Sequence, residues 1–490
     1  MSDAFAVAAG LFDALCGWLG GESSAGLSHH ELEDQLDTKG RELLRQLFQE
    51  HLELRAVREP RLEVTDSDSV AHGRVEPGHT RRLATIFGEV TVTRIAYRHP
   101  GHPNLCPADA ALNLPVGLHS HGLRLRAALE ASRGSFDSAA QALERATGVH
   151  VGKRQVEALS AAAAVDVGDF YAGFAGQRSA AGDVIVLSVD GKGIIVRPDD
   201  LRAGTARHAQ SAKLDKRLSK GERRYRKRMA EVGAVYDICP APRTPADVLA
   251  SHSDLSAAPG PKAKNKWVTA SVVDDAATVV AEVFHEADQR DPGHQRVWIG
   301  LVDGNAHQID RIHAEADQRA ITVRIVIDFI HVLEYLWGAV WCFFAEGDPA
   351  AEAWVRDRVL AILEGKAGDV AAGIRRRAST EGLSAQKRKK ADDCAKYLTN
   401  KAPYLDYPTA LASGWPIATG IIEGACRHLV ADRMDITGAR WSASGAEAIL
   451  KLRALHTNGD LDAYWPYHLD RERQRNHTDR YADNAIPIAA

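Results

Sequence analysis

The stretch VWIGLVDGNAHQIDRIHAEADQRAITVRIVIDF (residues 297–329) decides the fold. Its first six residues form an apolar run that ends at Asp303, residues 308–319 change to helical spacing, and residues 321–327 return to an apolar, β-branched run ending at Asp328. Strand, helix and strand in that order predict a sheet with parallel neighbours under helices. Upstream, residues 184–189 (VIVLSV) predict a buried strand ending at Asp190, and Gly191 is expected to turn the chain into a second β-type run at 193–196. Residues 232–238 (VGAVYDI) predict a third strand and 274–289 a helix, while 267–273 reads as either. With 297–302 and 321–327 as the fourth and fifth strands, the expectation is an α/β domain built on a mixed five-stranded sheet with helices on both faces.

Residues 329–404 are helical and repeatedly basic, so an all-α insertion follows the fifth strand, and two more helices are expected at 417–434 and 443–456. Before the sheet, residues 28–57 are amphipathic at helical spacing, 86–97 alternate as β structure, and the Pro- and His-rich YRHPGHPNLCP ends that module. Residues 135–156 read as helix, Gly148 turn, helix. This spacing fits a helix-turn-helix with Lys153 and Arg154 opening the second helix, and it fits plain helical packing equally.

The chain has 490 residues, with 61 Lys plus Arg against 65 Asp plus Glu, a formal charge of −4. Its length suggests several domains, and 45% hydrophobic residues exclude wholesale disorder. No apolar run reaches the roughly 18 residues that span a bilayer. No basic region precedes the first apolar residues, so no secretory signal is read. Six cysteines without a CxxC pair disfavour a disulfide framework or zinc knuckle. The expectation is a soluble, cytoplasmic, nucleoid-associated protein without a membrane partner.

Asp190 and Asp303 end predicted strands, and Glu423 lies in IIEG near the start of a helix. Strand ends on the loop side are where open α/β folds place their chemistry. Carboxylates gathered there repel one another unless hard divalent cations bridge them, which suits Mg²⁺ or Mn²⁺ and two-metal phosphoryl transfer. An Asp after a strand is also an ordinary turn residue. Composition and spacing do not choose between these readings.

Four segments together resemble a known family. They are Val189-Asp190-Gly191, LVDGN at 301–305, DFIHVLEYLW at 328–337 and GIIEGACRHLVADRMDITGARWS at 420–442. Over roughly residues 85–460 the chain is similar to bacterial insertion-sequence transposases with an Asp-Asp-Glu triad, the Kra-type (ISKra-like) family related to Mutator-like transposases. The resemblance implies an RNase H-like core whose catalytic and metal-binding acids are Asp190, Asp303 and Glu423, holding two Mg²⁺ or Mn²⁺ ions. Asp328 and His331 match the family's Asp/Cys-x-x-His element. Either they support the site or Asp328 replaces Asp303 as the second ligand; Asp303 is preferred because the fourth strand lies beside the first in such a sheet.

The implied activity is cleavage of double-stranded DNA at transposon ends and transfer to a target, by a homodimer or higher oligomer. An RNase H-like nuclease or resolvase, or an inactive DNA-binding regulator, are the alternatives. Under this reading the divisions are 1–120, helical with a small hairpin; 121–180, helix-turn-helix-like; 181–328 and 411–465, catalytic core; 329–410, helical insertion; and 466–490, a polar tail. An acidic protein that binds DNA must concentrate its positive charge. KLDKRLSKGERRYRKR at 213–228 carries nine basic residues and two acids, including Lys216, Arg217, Lys220, Arg223, Arg224, Arg226, Lys227 and Arg228. Residues 375–401 carry nine basic residues and three acids. Arg433 and Arg440 are candidate phosphate contacts, and Trp441 is a candidate base-stacking residue. A solvated face for the arginines and core packing for the tryptophan are the competing readings.

Overall fold

The computed structural model describes residues 4–173, 184–211, 227–250, 256–436 and 438–487, the side chains of 208–211 excepted. The chain divides into two compact units, Met1–Ala172 with Gly459–Ala490, and Gly173–Asn458.

In the first unit the helix His29–Val57 starts after Ser28, whose amide and hydroxyl both donate to the Glu31 carboxylate. Strands β1 (Arg74–Thr85) and β2 (Gly88–Arg98) form an antiparallel hairpin. Three helices, His121–Arg133, Phe136–Thr147 and Lys153–Ala163, then pack on one another through Leu123, Leu143 and Val156. Gly148 closes the middle helix in the left-handed region at φ +70°, a conformation glycine adopts without cost.

The first part of the segment expected to be a polar tail, 466–476, lies in the helix Leu461–Asn476. Its polar composition misleads because Tyr464, His468 and Glu472, spaced by four, share one buried face. His468 and Arg475 bond Asp166, and Glu472 takes both guanidinium nitrogens of Arg124, so the buried charges are paired.

The second unit holds β3 (Val184–Ile195), β4 (Lys227–Ile238), β5 (Ala263–Ser271), β6 (Trp298–Val302) and β7 (Val323–Ile327), in the order β5-β4-β3-β6-β7. β3, β4 and β5 are antiparallel, and β6 and β7 run parallel to β3. Val232–Ile238 is buried at every position, as for a strand covered on both faces.

Two strand readings change. Residues 184–189 and 193–196 are one strand, because the chain does not turn at Gly191 but stays paired with β4 from Val184 to Ile195. The glycines there serve packing: a Cβ on Gly191 would lie 2.8 Å from Met229 Cε, and one on Gly193 3.0 Å from Lys227 Cδ. The expected fourth and fifth strands stand as β6 and β7, and the count of five is completed by β5, which takes in 267–271 of the ambiguous region.

Gly233 shows how tightly the helix Ala276–Arg290 lies on the sheet, since a Cβ there would meet Val283 Cγ2 at 2.4 Å and Thr269 Cγ2 at 3.2 Å. Both side chains are branched at Cβ and stiff about χ1, so neither yields cheaply. Gly233→Ala is therefore expected to destabilise the protein by about 1–3 kcal/mol in urea unfolding, despite the entropy it removes from the unfolded chain.

After β7 come the helices Phe329–Val340, Pro349–Leu363, Ala367–Thr380 and Ala385–Asn400, whose apolar faces join Val326, Ile327 and Ile299 in one core. No helix among the described residues is long and apolar enough to cross a membrane.

Candidate active site

β3 and β6 are parallel neighbours with Leu187 opposite Gly300. Asp190 and Asp303 each stand three residues further on, Asp190 within β3, which continues to Ile195, and Asp303 just past the end of β6, so the two lie at a similar level along neighbouring chains. Ser188 Oγ ties the strands just below by donating to the Leu301 carbonyl at 2.6 Å.

Asp190 is half-buried, and burial raises its pKa; the negative charge of Asp303 adds to the rise. Two donors oppose it, the Gly191 amide to Oδ1 at 2.6 Å and the Cys426 thiol to Oδ2 at 3.4 Å. Burial and Asp190 together push the Cys426 thiol far up, so it remains a protonated donor.

Asp303 Oδ1 accepts from the Asn305 amide at 2.7 Å, and its carbonyl accepts from Tyr397 Oη at 3.1 Å. The turn that frees its carboxylate depends on Gly304, at φ +93°, where a Cβ would lie 2.9 Å from Tyr397 Oη. Gly304→Ala is expected to cost roughly 1–3 kcal/mol in thermal unfolding and to lower any activity that depends on Asp303, because the strain displaces that carboxylate.

Glu423 lies in the helix Gly420–Ala425, which continues through a π-helical turn at Cys426–Ala431 into Asp432–Met434. This widened turn presents Cys426 to Asp190 while leaving Glu423 exposed. Thr419 Oγ1 lies 3.2 Å from Glu423 Oε1 and 2.6 Å from Asp328 Oδ2, and its single proton favours the shorter contact.

Asp328 is fully buried and caps Phe329–Val340. Oδ1 accepts from the amides of Ile330 at 3.0 Å and Thr419 at 3.3 Å, and Oδ2 from Thr419 Oγ1 and from His331 Nδ1 at 3.2 Å. Burial pushes its pKa up, but these bonds outweigh it and hold it below the usual carboxylate range. His331 is pulled up to about 9 by the same contact with Asp328. Asp328 thus has both oxygens committed to two donors each and is fully buried, while Asp190 and Asp303 are partly exposed and Glu423 is exposed.

The three acids share a neighbourhood without closing into a tight cage: no oxygen from each lies within 4.8 Å of the other two. Their donor chemistry suits Mg²⁺ or Mn²⁺, and the charge penalty on Asp190 is of the kind that a divalent ion relieves. Glu231, which the sequence did not single out, faces Gly191 from β4; burial raises its pKa, and Asp190 is among the charges acting on it.

Several expected DNA contacts have other roles. Arg433 is 3% exposed, with its guanidinium 4.6 Å from the Trp441 ring centre. Trp441 is buried too; it bonds Ile195 and Arg197 through its backbone and donates its indole N–H to Met434. Neither is placed to meet DNA, because burial of each completes the packing of the other. Arg228 donates to the carbonyls of Asp200, Val272 and Val273, so it clamps loops, and Lys227 lies in β4. Lys216, Arg217, Lys220, Arg223, Arg224 and Arg226 lie outside the described residues. Lys153, Arg154 and Arg440 are exposed. In the second basic segment, Arg377, Arg388 and Lys389 pair with acids one turn on, whereas Lys390, Lys396 and Lys401 line a groove of about 540 Å³ with His331, Tyr335 and Tyr397.

Among the described residues one group brings three metal-ligating atoms within 4.8 Å of one another, and it could hold a metal ion: Asp66, His72 and His102, in the first unit. Sequence reading passed over it. Its signal was the pair of spacings Asp-x5-His at 66–72 and His-x2-His at 99–102. The chain matches no protein-family model and no curated protein.

Proposed function

We propose that the protein is an Asp-Asp-Glu transposase of a bacterial insertion sequence, with Asp190, Asp303 and Glu423 as its catalytic acids on an RNase H-like core. One observation carries this reading: Asp190 in β3 and Asp303 just past β6 lie three residues beyond the paired Leu187 and Gly300 of neighbouring parallel strands, and the helix of Glu423 is tied to Asp190 through Cys426. The sheet order supports it, because the strand bearing the second acid lies directly beside the strand bearing the first.

Asp190, Asp303 and Glu423 would hold Mg²⁺ or Mn²⁺, whose charge would favour deprotonation of an attacking water or 3′-hydroxyl and would offset charge on the leaving oxygen. Asp328 and His331 fix the Thr419 turn that leads into the glutamate helix, a positioning role. The groove lysines Lys390, Lys396 and Lys401 lie beside His331, where they would track phosphates.

The test uses duplexes that carry the terminal sequences of the mobile element encoding this chain, incubated with Mg²⁺ and a target plasmid. Cleavage that exposes 3′-hydroxyls, followed by their joining to the target, is the expected result. Cleavage without joining would assign a nuclease or resolvase, and binding without cleavage a regulator.

A further inference from the structure

The hairpin unit contains a second, chemically different cluster. Asp66 sits in a tight loop where its Oδ1 accepts the amides of Asp68 at 3.0 Å and Val70 at 2.9 Å. Oδ2 is thereby left to face two imidazoles, His72 Nε2 at 3.0 Å and His102 Nδ1 at 2.8 Å. The side chain of His72 is wholly buried and that of Asp66 is 9% exposed.

His72 Nδ1 lies 3.2 Å from the Tyr97 carbonyl, which only accepts, so Nδ1 carries a proton and Nε2 is the ring atom turned to Asp66. An N–H to carbonyl bond on the far side of the ring is how metal-bound histidines are usually held. The separations of 2.8 and 3.0 Å approach the edge of about 3.3 Å of a tetrahedron with ligands near 2.0–2.1 Å. Next to them His99 Nδ1 is buried without a hydrogen-bond partner, and its ring centre is 5.2 Å from that of His102.

The geometry points to a structural site for one transition-metal ion, best matched by Zn²⁺, with Asp66, His72 and His102 as ligands and His99 available as the fourth. Imidazole nitrogens with a single carboxylate select a borderline cation such as zinc over Mg²⁺ or Ca²⁺. The ion would join two loops distant in sequence. The C-terminal segment crosses both: Ser67 and Ala482 make backbone bonds that pair it with the Asp66 loop, and Arg480 bonds the Asn104 carbonyl. Zinc would therefore hold the hairpin, the 99–106 loop and the chain end together.

The test measures zinc by elemental analysis of the full-length protein, and thermal unfolding with and without a chelator, with Zn²⁺ alone as the added probe. Wild type is expected to carry one zinc per chain and to melt roughly 5–10 °C lower once stripped, recovering when Zn²⁺ is added back. His102→Ala, at a partly exposed position that spares the core, and Asp66→Asn should bind Zn²⁺ at least about 100-fold more weakly and melt independently of chelator. Asp190→Asn should keep the full zinc response, which separates this site from the proposed catalytic one. Wild type that neither retains zinc nor gains stability from it, or variants that bind Zn²⁺ as wild type does, would overturn the assignment.

Discussion

Asp190→Asn and Asp303→Asn are each expected to reduce Mg²⁺-dependent DNA cleavage by about 10³-fold or more while the protein stays folded. Removing one carboxylate leaves too little charge to hold a divalent ion in place, so the loss falls on the chemical step rather than on DNA binding, and kcat should drop with little change in KM. Stability should move the other way at Asp190. Burial and the nearby charge of Asp303 both disfavour its ionised form, so a neutral amide of the same shape relieves repulsion in the folded state. A melting temperature equal to or above that of wild type, combined with lost activity, is the signature of a group kept for function at some cost to the fold. Asp303 stands half-buried in a turn, and its replacement by Asn should leave the melting temperature nearly unchanged.

Asp328→Ala is expected to do the opposite, lowering stability by about 3 kcal/mol in urea unfolding. This carboxylate is fully buried and receives four donors, from Ile330, two groups of Thr419, and His331. Its removal uncaps Phe329–Val340, strands the buried donors of Thr419 and leaves His331 without the partner that holds its proton. Any activity should fall as a consequence, and adding Mg²⁺ should not restore stability. An Asp328→Ala protein as stable as wild type but inactive would make Asp328 the second metal ligand in place of Asp303.

What could be read in the sequence depended on whether burial leaves a mark in residue type. The runs VIVLSV and, from Trp298, WIGLV are buried on both sides, so their apolar continuity identified strands, and the acids at their ends followed. Gly191 was misleading because glycine marks two different events, a turn or a close approach of neighbouring strands, and here Met229 requires the second. β5 read ambiguously because its first half, Lys264, Asn265 and Lys266, is polar and exposed, and only from Trp267 does it enter the core.

Charge is poorly legible for a related reason. Arg433 and Arg228 look like DNA contacts in a list of residues, yet a tryptophan face claims one and three carbonyls claim the other. Residues 466–476 looked like a tail because the buried face of their helix is built from paired polar groups. The Asp66, His72 and His102 group escaped because its ligands come from two separate loops and lack the CxxC spacing that marks the familiar zinc sites.

The proposed chemistry requires Asp190 and Asp303 to hold a divalent ion jointly. Mn²⁺ binding, followed by electron paramagnetic resonance on protein already supplied with Zn²⁺, tests it most directly. Wild type should show bound Mn²⁺ that Mg²⁺ displaces, and the Asp190→Asn/Asp303→Asn double variant should lose it while Asp66→Asn retains it. Mn²⁺ binding in the double variant equal to that of wild type would contradict the account.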